Sequence, residues 1–130
     1  MPGSLPEATV AGLTRPWVRT IAADRPFSHV VAMLLALPAG HDLYVVDRRG
    51  HYLGAVVFDR LEPHLADEPH LRIAIASELV DPAIEPVPAS LSLSELARQF
   101  ARSASVRLPV VDASRRLLGT VARIDLALHG

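Results

Sequence analysis

The chain of 130 residues contains no cysteine and no lysine. Without cysteine there are no disulfides, no thiolate nucleophile and no zinc–thiolate site. All 13 basic residues are arginine, a bias that nothing in the sequence explains. Charge of neither sign is in excess. Thirteen basic residues face 14 acidic ones, for a net charge of −1. No basic surplus points to nucleic acid, and no acidic run points to a disordered tail. The longest unbroken apolar run, Val30 to Leu37, falls far short of the roughly 20 residues that cross a bilayer. The first residues lack a charged stretch followed by an apolar core, so no secretory signal is expected and a cytoplasmic location is.

Catalytic signatures are missing as well. There is no Gly-x-Ser-x-Gly elbow and no glycine-rich phosphate loop. Asp59, Glu62, Asp67 and Glu68 form no recognisable acid/base pair, and the chain is not expected to be an enzyme. Six histidines, at 29, 41, 51, 64, 70 and 129, include no i, i+4 pair of the kind that holds zinc on a helix. His64 and His70 flank Asp67 and Glu68. All six read as loop histidines, and no metal is expected.

A duplication is present. Leu43-Tyr44-Val45-Val46-Asp47, followed by His51-Tyr52-Leu53-Gly54, is echoed by Leu108-Pro109-Val110-Val111-Asp112 and Arg116-Leu117-Leu118-Gly119. Asp112 lies 65 positions after Asp47, and Gly119 lies 65 after Gly54. A constant offset means one structural unit used twice, and two such units pack around a pseudo-twofold axis. Half of the residues are hydrophobic, enough for one compact core but not for two large domains.

Local patterns order the elements. Trp17 to Ile21 is a candidate strand. Asp24-Arg25-Pro26 starts a helix, and Phe27, Val30, Val31, Leu34 and Leu35 give it one apolar face until Pro38-Ala39-Gly40 stops it. Leu43 to Val46 and Tyr52 to Val57 read as a hairpin turning at Gly50, with a short helix from Asp59 to Leu65. In the second copy Ile84 to Val87 is a strand. Ser92 and Glu95 form a capping box before the face Leu93, Leu96, Ala97, Phe100 and Ala101. Leu108 to Val111 and Leu117 to Val121 are strands, and Arg123 to Leu128 closes the chain as a helix. The helix offset is 66 and the strand offset 65, so the first copy has one extra residue between them. The expected organisation is a flexible lead-in over 1–13, repeat 1 over 14–66, a connector over 67–82 with a helical turn at Ile73 to Leu79, and repeat 2 over 83–130. The class is α/β (α+β): two β-α-β-β-α repeats around a pseudo-twofold axis.

That order, with "LPVVD", a turn and "LLGTVARIDL", resembles a CBS domain, and the two copies resemble a tandem CBS pair, or Bateman module. The resemblance covers about residues 14 to 130 and is stronger in the second copy, because Tyr44 stands where Pro109 stands. The connector "EPHLADEPHLRIAIASELVDP" and the following "LSLSELARQFARSASVRLPVVD" resemble the cytoplasmic CBS pair of ClC-type chloride channels and transporters. Magnesium and cobalt efflux proteins and inosine monophosphate dehydrogenase share the same core motifs.

The resemblance implies adenosine phosphates between the repeats, held by a Gly-x-x-Ser/Thr-x-x-Asp pattern. In that pattern the carboxylate accepts from ribose hydroxyls, and the hydroxyl meets phosphate at a helix start. The second copy has Gly119 and Asp125, but Ala122 where the hydroxyl belongs. The first has Val57 at that place and Arg60 at the Asp position, with Asp59 one residue early. The expected nucleotide site therefore gathers Arg107, Leu108, Pro109, Arg123 and Asp125, with AMP, ADP or ATP as ligand. The resemblance also implies a homodimer, with Leu61, Leu65, Leu126 and Leu128 as the expected interface, and a membrane transport domain as partner. The expected function is a cytoplasmic regulatory module that modulates gating or assembly of a chloride channel or transporter. The alternative is an adenine-nucleotide sensor, free-standing or attached to an enzyme or another ion transporter.

Overall fold

The computed structural model describes residues 8–65 and 69–129. Repeat 1 runs β1 (Arg19–Ala22), α1 (Phe27–Leu35), β2 (Leu43–Val46), β3 (Tyr52–Val56), α2 (Phe58–Leu61). Repeat 2 runs β4 (Val87–Pro88), α3 (Leu93–Ala101), β5 (Arg107–Val111), β6 (Leu117–Ala122), α4 (Arg123–His129). Each repeat forms one three-stranded sheet, β1-β2-β3 or β4-β5-β6. The first pair of strands in each is parallel and the second antiparallel. A parallel pair needs a crossover, and α1 and α3 supply it.

The duplication extends to single hydrogen bonds. Asp47 Oδ1 accepts from the amides of Arg49 and His51 at 2.8 and 2.9 Å. Asp112 Oδ1 accepts from Ser114 and Arg116 at 2.8 and 3.0 Å. This is why an aspartate opens both turns. Gly50 and Arg115 both adopt positive φ, 83° and 66°. Glycine does so freely, whereas the arginine does so against its Cβ. Both hairpins shift register at the same place, Val45/Val46 and Val110/Val111. The two tips join, since Tyr52 N–H donates to Arg115 O at 2.8 Å and Leu117 N–H to Gly50 O at 3.0 Å.

Three apolar clusters follow. Ile21, Val30, Leu34, Leu43, Val45 and Val56 pack under α1, together with Ala74, Ala76 and Leu79 from the connector. Val10, Val87, Leu96, Phe100, Leu108, Val110 and Val121 pack under α3. Tyr44, Tyr52, Ala55, Ile84 and Val111 lie where the sheets meet, with the Tyr52 hydroxyl donating to Ile84 O at 2.9 Å.

Several expectations change. β1 begins at Arg19 and leaves Trp17 half exposed. β4 keeps only Val87 and Pro88, because Ile84 turns into the inter-sheet cluster. α1 begins at Phe27 with Pro26 as its N-cap, and Leu35 faces solvent. The capping box of α3 is half built. Ser92 Oγ accepts from Glu95 N–H at 3.2 Å, while the Glu95 carboxylate pairs with Arg98. α2 starts one residue before Asp59 and ends in a 3-10 turn over Glu62–His64, where Pro63 lacks an amide hydrogen. The connector forms 3-10 turns at Pro69–Ile73 and Ala76–Glu78, while Asp67 and Glu68 lie outside the described residues.

The largest change is at the start of the described chain. Residues 8–13 do not behave as a flexible lead-in. Val10 is 0% exposed within the second core, and its amide donates to Leu91 O at 2.9 Å. Ala11 N–H donates to Ala89 O at 2.9 Å. Burying a valine side chain stabilises by about 1.5–3 kcal/mol, enough to hold this segment down. A second correction concerns the expected interface. Leu61 is 8% exposed and belongs to the first core. Leu65 and Leu126 are half-buried, and only Leu128, with Ile124 one turn earlier on α4, is freely exposed.

Candidate functional site

The two sheets leave a cleft of about 560 Å³ lined from both repeats. Its floor comes from the entries to β2 and β5, where Asp42 and Arg107 occupy equivalent positions. Val57, Asp59 and Arg60 at the start of α2 form one wall, and Ile84, Ser105 and Val106 form the other. The chain passes directly from β3 into α2, and that junction lines the cleft.

Charge sets the character of this cleft. Burial pushes the Asp42 carboxyl up to about 6; Asp81 and Asp59 push the same way, and Arg107 pulls back. Burial, then Arg107, lowers the His41 imidazole. Burial raises the hydroxyls of Tyr44 and Tyr52, with Asp42 the next cause for both. The Tyr44 hydroxyl and Arg107 Nε are buried without a hydrogen-bond partner.

The structure places the expected nucleotide residues apart. Arg107 lines the cleft, while Leu108 and Pro109 are buried in β5. Arg123 serves α3 instead. Its Nη2 donates to the carbonyls of Phe100, Ser103 and Ser105 at 2.8, 2.9 and 3.2 Å, and its guanidinium lies 5.3 Å from the Phe100 ring centre. Asp125 is 4% exposed and is held by Arg15, whose Nε and Nη2 reach its two oxygens at 2.9 and 2.7 Å. The Arg15 guanidinium holds the Asp125 carboxyl below the usual carboxylate range. Asp59, one residue early for the motif, lines the cleft.

Sequence reasoning missed Arg15, Asp42 and Asp81. A signal was available in the duplication itself. Asp42 and Arg107 are 65 apart, Arg60 and Asp125 are 65 apart, and Arg15 and Asp81 are 66 apart. At all three positions the copies carry opposite charges. Arg60 Nε lies 3.1 Å from Asp81 Oδ2, so α2 and the connector hold an ion pair of the opposite polarity, without the two hydrogen bonds of Arg15 and Asp125. Among the described residues no cluster of three His, Cys, Asp or Glu side chains fits a metal ion, and no helix is long and apolar enough to cross a membrane.

This fold, two β-α-β-β-α units joined sheet to sheet, is that of a tandem CBS pair. The family model described as CBS domain matches residues 76–129, the second repeat and the end of the connector. No curated protein sequence matches the chain significantly. Among solved structures, the chain is similar to the cystathionine beta-synthase pair domain of a putative Mg2+ transporter from Shewanella oneidensis MR-1. The two share 23% identity and a TM-score of 0.78, over 96% of this chain and 71% of that one. It is also similar to the cytosolic domain of the Mg2+ channel MgtE in complex with ATP, with 25% identity and a TM-score of 0.76. That likeness covers 94% of this chain, which spans about half (48%) of the other. A third relative is CBSX2 in complex with AMP, a protein of Arabidopsis thaliana, with 22% identity and a TM-score of 0.74 over 93% of this chain and 94% of that one.

Proposed function

We propose that this chain is a non-catalytic regulatory module whose inter-repeat cleft binds an adenosine phosphate, AMP, ADP or ATP. The observation that carries the reading is the mixed lining of that cleft. Val57, Ile84 and Val106 offer apolar surface for a base. Asp42 and Asp59 offer acceptors for hydroxyls, and Arg60 and Arg107 offer charge-assisted donors for phosphate. Arg107 brings its guanidinium charge to the lining of this cleft. The ATP and AMP bound by MgtE and CBSX2 support the ligand class. The cleft thus replaces the site expected around Asp125 and Arg123, whose side chains already have partners. A ligand there regulates only by binding one arrangement of the repeats better than another.

The partner in this reading is an ion-transport domain on whose cytoplasmic side the module acts. The Mg2+ transporter relatives support transport as the setting, and the connector's resemblance to ClC proteins points to chloride. None of the relatives named above is a chloride transporter. The second reading, a free-standing nucleotide sensor, is favoured by the likeness to CBSX2 over 94% of that chain.

Calorimetry with AMP, ADP and ATP tests the cleft. Saturable heat is expected below about 1 mM. Arg107→Ala is expected to weaken binding at least tenfold, since a hydrogen bond to a charged group contributes about 1.5–3 kcal/mol. Absence of heat at millimolar ligand overturns the reading. We further propose a homodimer through α4, with Ile124 and Leu128 at its centre and Leu126 and Leu65 flanking them. Light scattering is expected to give twice the 14.0 kDa chain mass, and Leu128→Glu to return it to one. A single chain mass at high concentration excludes the dimer.

A further inference from the structure

We infer that residues 8–16 form a strap that shuts the second half of the inter-repeat cleft, with Arg15 as its bolt. The inference rests on the preceding reading only in taking AMP as the probe.

Three contacts build the strap. Val10 anchors it in the second core, as described above. Arg15 then adds itself to the free edge of β6: its amide donates to Thr120 O at 2.8 Å, and Thr120 N–H donates to Arg15 O at 2.9 Å. The fit is so close that a Cβ on Gly119 would stand 2.0 Å from Arg15 O. Finally the Arg15 side chain reaches down to Asp125. The Arg15 side chain is 63% exposed and the Asp125 side chain 6%, so one solvent-facing side chain covers a buried acceptor.

The other half of the molecule shows what the bolt does. There Asp81 from the connector takes the place of Arg15 along the edge of β3, with its amide donating to Ala55 O at 2.7 Å. Its carboxylate meets Arg60. The exposed guanidinium on that side belongs to α2 and lines the open cleft. On the second side the exposed guanidinium belongs to the strap, and it lies across the carboxylate of α4. Same edge, same junction, opposite polarity: one half is left open and the other covered.

Chemistry names the guest that the bolt excludes. Asp125 accepts two parallel N–H bonds from one planar guanidinium. A vicinal diol presents two O–H donors with a similar spacing. Arg15 is thus an internal stand-in for a ribose-type diol. A diol ligand enters only when Arg15 leaves.

The test is Arg15→Ala in the full chain, read by amide exchange at position 15 and Thr120 and by calorimetric AMP stoichiometry. Exchange is expected to quicken at least tenfold, and the stoichiometry to rise by one per chain over wild type. Adding Asp125→Asn is expected to remove that extra event. The charge-swapped double variant, Arg15→Asp with Asp125→Arg, re-forms a strap-to-α4 ion pair like that of Asp81 with Arg60 and is expected to restore slow exchange. Unchanged exchange, or quickened exchange without the extra event, overturns the inference. A wild-type stoichiometry of zero strikes the cleft reading alone, because the strap is judged on the difference. Should Arg15→Ala fail to fold, Arg15→Gln, which keeps one donor, is expected to shift both readings in the same direction, and no shift in either overturns the inference.

Discussion

Gly119→Ala is expected to destabilise the protein by about 3 kcal/mol or more and to lower its melting temperature by roughly 10 °C. Position 119 has an ordinary backbone conformation, so the cause is space alone. The nearest atoms to a new methyl group are Arg15 O at 2.0 Å, Arg15 C at 2.8 Å and Pro16 Cα at 3.0 Å. All three are main-chain atoms, which cannot rotate aside as the end of a side chain can. The segment must therefore leave the edge of β6. It takes with it two backbone hydrogen bonds, each contributing about 1 kcal/mol net. It also strains the burial of Val10, which is worth about 1.5–3 kcal/mol. Asp125 is left with its carboxylate buried and unpaired. Thermal unfolding checks this, and a melting temperature within about 2 °C of wild type refutes it.

Asp42→Asn is expected to stabilise the protein at pH 8 by up to about 3 kcal/mol and to leave it unchanged at pH 4. The sign follows from proton binding. Burial in the cleft raises the Asp42 carboxyl to about 6 in the folded state, with Asp81 and Asp59 adding to the rise. The unfolded value is about 3.9. Between those values the folded state holds the proton and the unfolded state does not. Stability therefore falls as pH rises from about 4 to about 6, and the full penalty applies above that window. Below about 4 both states are protonated and the penalty vanishes. Asparagine carries no charge and escapes it. Asp125 has the opposite sign, because Arg15 depresses its carboxyl and that stabilisation is lost only as pH falls below the ordinary carboxylate range. Urea titrations at pH 4 and pH 8 separate the two, and an equal gain at both values refutes the assignment to Asp42.

The elements were legible because their causes are local. Asp47 and Asp112 cap their turns with amides two and four residues ahead. Ser92 caps α3 three residues ahead. Such patterns lie within one turn of chain, and a duplication displays them twice. Where these readings slipped, longer contacts intervened. Trp17 left β1, and Ile84 left β4 for the inter-sheet cluster. Leu61, expected at the dimer interface, is covered by the first core.

The charge partners of the cleft were not legible residue by residue. Arg15 and Asp125 are 110 positions apart, and no local rule links them. In the strap proposal, the same carboxylate in the same helix turn serves a ligand once the edge of β6 is bare. What the sequence alone determined is the paired architecture, since turn caps, apolar spacing and a constant offset all act over short stretches of chain. Tertiary structure alone decided which half of the pair stays open. The strap and the connector dock on equivalent sheet edges, and only that docking brings each guanidinium to its carboxylate.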